Sequence, residues 1–454
     1  MYANSSSSVQ IINSTFIGSS AQSTSGDAGG RGGAVYAASG ANVVVDGGSV
    51  FETCSSTNSG GGIFVGAGGA LVVRGGSSFS DCSTAAGSGG AVYTDSSAGV
   101  SITNAAFTGC GASGGYGGAV FAAAGGVTAG AFFTDTPVQL SNVLMASNSA
   151  AAGGAVAVGR HTALSIVGCN ISSNLATSNG GAVWQPGPGS INVTGSLLAN
   201  NAARGQSTLS PASNVQPGGG AVSLGQDRSI SIMMQNLNRI YASFVGSTFS
   251  GNSAENTQEG GAIGVGAVAV ANVSGCAFSG NGAGVGGAIA VDYLASLSVG
   301  PGTTFDSNNA NSGSGGAVHI GAKASADISG AAFTNNGCAP SLVAGAGGGA
   351  VALSGNGVYC SSASIASCTG YSTLTVRNSS FVANTAMDDG GGGALFVGPN
   401  CTAAIGAGTL FANNSADYNG GALFLAKNAS ATLAPGVTLR GNSALRGRGG
   451  VGIV

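Results

Sequence analysis

Catalysis needs ionisable or nucleophilic side chains brought to one place, and this chain holds few. Its 454 residues include 12 Lys and Arg, 15 Asp and Glu, and 2 His. Polysaccharide hydrolysis uses two or three carboxylates converging on one groove, and lyase chemistry uses a base beside acids that can hold calcium. The one adjacent acidic pair, Asp388-Asp389, lies in a Gly-rich turn between Phe381 and Gly390 and reads as a solvated turn. His161 follows Arg160 in a post-strand turn, and His319 follows Val318 on an outward position; neither has an acid beside it in sequence. Asp227-Arg228 and Glu255/Glu259 flank an insertion, which makes that face the least implausible enzymatic one. No residue is assigned a catalytic, metal-binding or cofactor-binding role, and no cofactor is implied.

A more regular candidate is aromatic. Tyr36, Phe64, Tyr93 and Phe121 recur one residue after a repeated G-G-A-[VIL] or G-G-I marker, and Trp184, His319, Phe396 and Phe424 continue the list. Strand alternation turns Val35 and Ala37 inward and Tyr36 outward. Such a row could stack on the sugar rings of a polysaccharide or meet a surface glycoprotein. The plainer reading is that the rings cover one another or lie beneath insertions.

These residues are positioned by a repeat, which the stretch Phe278–Val291 shows whole. Phe278 is followed three places on by Asn281, then by Gly286-Gly287-Ala288 and a short strand with Ile289 and Val291 on one face. The unit recurs fourteen times, at short spacings of 26 to 29 residues and longer ones of 33 to 44. The apolar marker runs Phe16, Phe51, Phe79, Phe107, Leu144, Ile171, Leu198, Phe249, Phe278, Phe305, Phe333, Phe381, Phe411 and Leu439. Between the two markers lies a third alternating piece, as in Leu297-x-Val299. Period-two alternation in such short pieces argues strand. Three strands per coil of roughly 28 residues bury nothing alone but enclose a core when stacked. The expectation is an all-β, right-handed parallel β-helix: one solenoid over residues 1–454, incomplete at both ends, a rod on the order of 65 Å long.

Phe249, Phe278, Phe305 and Phe333 then stack inward. Asn252, Asn281, Asn308 and Asn336 form an amide ladder, Asn being suited both to left-handed turns and to hydrogen bonding along the axis. Cys54, Cys82 and Cys110 take the Asn position in three consecutive coils and read as small buried thiols. Asp95 and Asp292 share a coil position but stand many coils apart, too far to cooperate. Insertions interrupt the period at 121–140, 203–218, 225–246, 337–347 and 354–372. The third holds Ile230 to Met234 and Ile240-Tyr241, enough for an extra strand or a flap. The fifth holds Cys360 and Cys368, which could pair in an oxidising compartment, with Cys338 and Cys401 as competitors.

Composition narrows the function classes. Charged residues make up 6 % and the net charge is -3, which leaves no basic surface for nucleic acid. The 86 glycines follow no G-X-Y period, against collagen. The most apolar run, 261–270, is too short to span a bilayer, and the first thirty residues show no signal peptide. Nine N-x-S/T sequons and an uncharged Ser, Thr and Asn surface nonetheless suit the cell exterior.

G-G-A-[VIL], at Gly32, Gly89, Gly117, Gly286 and eight further glycines, alternates with F-x-x-N at Phe249, Phe278, Phe305, Phe333, Phe381 and Phe411. That alternation resembles the repeats of the chlamydial polymorphic outer-membrane proteins over nearly the whole chain. The resemblance implies a surface-exposed β-helix of the pectin lyase-like class, implicated in adhesion; the family's signal peptide and C-terminal barrel have no counterpart in these residues. The expected function is a non-enzymatic extracellular or cell-surface repeat protein, adhesive or part of a wall or matrix. The alternative is a polysaccharide lyase or glycoside hydrolase of the same fold class.

Overall fold

The structure is a computed structural model of all 454 residues. It describes every residue except 24–28, 126–134, 206–217, 226–238, 256–258, 340–346, 355–370, 388–390, 448 and 451–454. Among the described residues there is no helix. Fourteen coils supply fourteen strands to each of four parallel sheets, so the architecture is a parallel β-helix. The chain divides into two compact units, Met1–Arg204 with Asn238–Tyr241, and Gly205–Leu237 with Ala242–Val454.

Each coil has four strands where the repeat shows three. In the second unit one coil runs Ile263–Val265, Val270–Ser274, Ala277–Ser279 and Gly282–Val285. The fourth strand follows the ladder Asn and is often only two residues long, as in Ser253–Ala254 or Ser415–Ala416. Two residues are too few to leave a periodic signal. Its second residue points inward, and Ala310, Cys338, Ala386 and Ala416 pack there as one buried cluster.

The third sheet fixes the register. In the second unit Phe249, Phe278, Phe305, Phe333, Phe381 and Phe411 are consecutive strand partners. Their rings are parallel within 10° at centroid distances of 4.6 to 4.8 Å, which is the strand spacing itself. All six are buried, each stabilising its coil by roughly 1.5–3 kcal/mol through apolar burial. The first unit repeats the stack with Phe16, Phe51, Phe79 and Phe107, after which Met145 takes over as the partner of Phe107. The sequence marker Leu144 is therefore off by one: Leu144 is exposed, and the three-residue spacing to Asn148 belongs to Met145.

A tight left-handed turn and the close approach of the next coil explain the two paired glycines in turn. Gly286 has φ +59°, and a Cβ there would lie 2.3 Å from the Ile289 carbonyl oxygen. At Gly287 a Cβ would meet the Gly316 oxygen of the next coil at 2.2 Å. The backbone of one coil thus occupies the space a side chain would need in the last.

Ile240-Tyr241, read as part of an extra strand or flap, belongs to Ile240–Val245, the regular second strand of its coil. Residues 230–234 lie outside the described residues, as does most of the insertions at 203–218, 337–347 and 354–372, and 126–134 of the first.

Candidate functional site

The polar side chains that the repeat places at fixed intervals meet in the interior. Asn281 Nδ2 donates to the Phe249 oxygen of the previous coil at 3.0 Å and to Asn308 Oδ1 of the next at 2.9 Å. The same Asn308 oxygen accepts the Asn281 backbone N–H at 3.1 Å. Asn308, Asn336, Asn384 and Asn414 repeat these contacts up to Asn442, and Asn148 passes them to Asn174 and Asn201 in the first unit. Each amide satisfies one buried carbonyl, one buried N–H and its neighbour. Left-handed backbone falls one residue earlier, at Gly280, Ser307, Asn335 and Asn413, so the ladder position selects Asn for its side chain and not for turn tolerance.

In the early coils Cys54, Cys82 and Cys110 are buried free thiols at this position. Cys82 Sγ reaches the Phe51 oxygen at 3.6 Å and Cys110 Sγ the Phe79 oxygen at 3.7 Å, the carbonyls that Asn serves elsewhere. The Cys110 N–H donates to Asn148 Oδ1 at 2.9 Å, where thiol and amide rows join. The hydrogen bond with Cys110 and then burial push the Cys82 thiol up to about 12, which keeps it protonated and unreactive. Cys338 and Cys401 are also free and buried, while Cys360 and Cys368 lie outside the described residues.

The aromatic row sits on the first sheet of the first unit. Tyr36, Phe64 and Tyr93 are stacked at 5.1 Å with planes within 7°, and Tyr93 meets Phe121 at 5.3 Å with a 32° tilt. Tyr2, absent from the sequence list, begins the row 5.4 Å from Tyr36. Phe64 is only 2 % exposed, whereas Tyr36, Tyr93 and Phe121 are half-buried. Burial pushes the Tyr93 phenol up, with Asp95 adding to it. The ring faces thus cover one another, and what solvent meets is ring edges and the rims of Tyr36 and Tyr93. Flat stacking of a sugar on a free face has no place between Tyr36 and Phe121, whereas Tyr2 at the end of the row is 70 % exposed.

Two side chains that sequence reasoning missed cap the row. The Arg31 guanidinium lies 5.1 Å from the Phe64 centroid, and Tyr116 bridges Phe121 at 6.2 Å to Trp184 at 4.7 Å, across the coil where the row holds only Ala157. Both precede a G-G-A triplet, so the residue before the glycines leans over the outward position of the first strand. That offset was available in the sequence.

The same position explains the one histidine cluster. Ser314, which precedes Gly315-Gly316-Ala317, places Oγ 2.9 Å from His319 Nδ1, and the Asp292 carboxylate lies within electrostatic reach. A serine, a histidine and an aspartate are here together, but Ser314 is 5 %, His319 4 % and Asp292 9 % exposed. The surrounding Gly315 and Gly316 N–H groups donate to the Gly347 and Gly348 carbonyls and offer no oxyanion site. His319 keeps the outward direction that alternation assigns but is buried there, its Nδ1 satisfied by the capping serine. Gly264, Ala290 and Ala352 on the same outward column are buried too, so both faces of this sheet are covered there. Burial drives the His319 pKa down to about 4.

The remaining acids are scattered. Asp95 and Asp292 lie in different units, and each accepts the N–H of the residue after it, closing a local turn. His161 Nδ1 is 3.9 Å from Asp135 Oδ1, and its own partial burial lowers its pKa. Glu255 is exposed and Glu259 bridges Val285. Asp227, Arg228, Asp388 and Asp389 fall outside the described residues. Among the described residues no group of three or more His, Cys, Asp or Glu is placed to hold a metal ion, and no helix is long and apolar enough to cross a membrane. Comparison of the chain with family models, with curated proteins and with solved structures found no match.

Proposed function

We propose that this chain is a non-enzymatic repeat protein of the cell exterior, adhesive or structural in a wall or matrix. The observation that carries the reading is the use made of the repeat's polar groups: the asparagines of successive coils bond to one another and to buried carbonyls. A side chain committed to holding coils together is not available for turnover. The alternation of G-G-A-[VIL] with F-x-x-N, similar to the chlamydial surface repeats, supports the same reading. So does a sequence with only 6 % charged residues and a surface rich in Ser, Thr and Asn.

The contact surface on this reading is the half-buried edge of Tyr36, Tyr93 and Phe121, which stack about the buried Phe64, with Trp184 and Arg31 beside it. A protein or glycan would meet ring edges and tyrosine hydroxyls there rather than slide onto a face. The test is a polysaccharide and glycan-array pull-down on the purified chain, with product release assayed on the same samples. Binding without turnover, weakened at least tenfold in the Tyr93→Ala/Phe121→Ala variant, is the expected result. Release of reducing or unsaturated ends would replace this reading with that of a lyase or hydrolase of the pectin lyase-like class.

A further inference from the structure

We propose that the nine N-x-S/T sequons are acceptors for asparagine-linked glycans and that they decorate one side of each unit, leaving the other bare. This rests on the extracellular reading above, because such transfer takes place in a secretory lumen.

The structure separates two populations of asparagine. The ladder residues Asn252, Asn281, Asn308 and Asn336 are buried and are followed two places on by Ala254, Ala283, Ala310 and Cys338. That second residue is the inward position of the fourth strand, where a Ser or Thr hydroxyl would be buried among apolar neighbours. The other ladder asparagines, from Asn148 to Asn442, are likewise followed two places on by Ala, so no ladder asparagine opens a sequon; the column takes Ser56 and Thr84 only in early coils where Cys replaces the ladder Asn. The nine sequon asparagines are exposed without exception.

Their placement is one-sided. Asn4, Asn400 and Asn428 lie in the turn between first and second strands, and Asn192 and Asn272 face outward from the second sheet. Asn13 and Asn378 lie in the turn before the third strand, Asn170 faces out from the third, and Asn413 directly follows a third strand. No sequon asparagine falls on a fourth strand, on a G-G-A turn or on a first strand in either unit. In the first unit the undecorated side includes the aromatic row, so glycans would shield the second and third sheets while the row stays open.

In the transfer, asparagine Nδ2 bonds to the anomeric carbon of a lipid-diphosphate-linked oligosaccharide. The carbon–oxygen bond to phosphate breaks, the lipid diphosphate leaves with the electron pair, and Nδ2 loses one proton. Asn428 Nδ2 lies 3.3 Å from Asn400 Oδ1 on the adjacent coil. An oligosaccharide on one crowds the other, so occupancy of each should fall below that of the isolated sites.

The experiment recovers the full chain separately from the exterior and the cytosol of cells that make it. Each fraction is digested with a peptide N-glycosidase in heavy-oxygen water and mapped by mass spectrometry, which marks every formerly glycosylated Asn as labelled Asp. Label is expected at Asn192, Asn272 and the other sequons and at no ladder asparagine. Asn400→Gln should raise occupancy of Asn428 to that of the isolated sites. An exterior chain with unlabelled sequons overturns the proposal and leaves its location intact. A chain found only in the cytosol overturns the location; incubating the purified full chain with oligosaccharyltransferase and lipid-linked donor then decides the sites, transfer supporting them and its absence overturning them.

Discussion

Asn308 shows how much one side chain can hold. Its amide serves the Phe278 carbonyl, the Asn281 N–H and both neighbouring amides directly. Asn308→Ala strands at least two buried backbone groups and should cost about 3–5 kcal/mol in a denaturant series. Cys82→Asn restores the residue other coils carry at this position and should change stability by less than about 1 kcal/mol; a larger loss would mean the thiol row has its own packing. His319 gives a pH test with a fixed sign. Its folded pKa, about 4, lies below the ordinary value of 6.5, so the fold favours the neutral ring. The stability this gives is whole above pH 6.5 and is lost as pH falls through 4, by about 3 kcal/mol in the low-pH limit. His319→Gln, which cannot titrate, should flatten the urea midpoint across that window. An unchanged slope would place the acid sensitivity elsewhere.

At the scale of the element, inner and outer aromatic stacks look alike but should differ in energy. Phe278 is fully buried between Phe249 and Phe305. Phe278→Ala should therefore cost about 3–5 kcal/mol as a core truncation. Tyr93 is half-buried with ring partners at 5.1 and 5.3 Å, so Tyr93→Ala should cost about 1–2 kcal/mol, from lost stacking and partial burial. Equal losses would contradict the division between core stack and surface stack. The two stacks arise from one cause: in-register parallel strands place identical residues about 4.8 Å apart, close to the distance at which flat rings touch.

For the molecule as a whole, each coil is stabilised mainly by its neighbours, so damage should spread along the axis. Gly287→Ala is the sharpest probe, because a Cβ there would sit 2.2 Å from the Gly316 oxygen and 2.6 Å from the Asn309 backbone. Amide exchange should rise in the coil of Gly287 and in those carrying Ile263 and Val318 on either side, with little change in coils of the first unit. Exchange confined to the Gly287 turn would show that coils open singly. Each unit carries few ion pairs among its described residues, such as Arg74–Asp46 at 2.7 Å and Arg377–Asp327 at 2.9 Å, both on the surface. Such pairs contribute little to stability.

The repeat alone determined the class of fold, the coil length and the in-facing column of Phe249, Phe278, Phe305 and Phe333, because a residue type recurring in register must stack when coils stack. It could not reveal the fourth strand, since two residues such as Ser253–Ala254 carry no period. It set the apolar marker one residue early at Leu144, where two apolar side chains stand together; the three-residue spacing to Asn148 already favoured Met145, and pairing with Phe107 shows it. Alternation assigned His319 and Tyr36 alike to an outward position, correctly as direction. Whether outward means exposed depends on what leans over that position, and for His319 it is Ser314. Burial of an outward face is a property of neighbouring backbone and capping residues, and these meet only once the chain has folded.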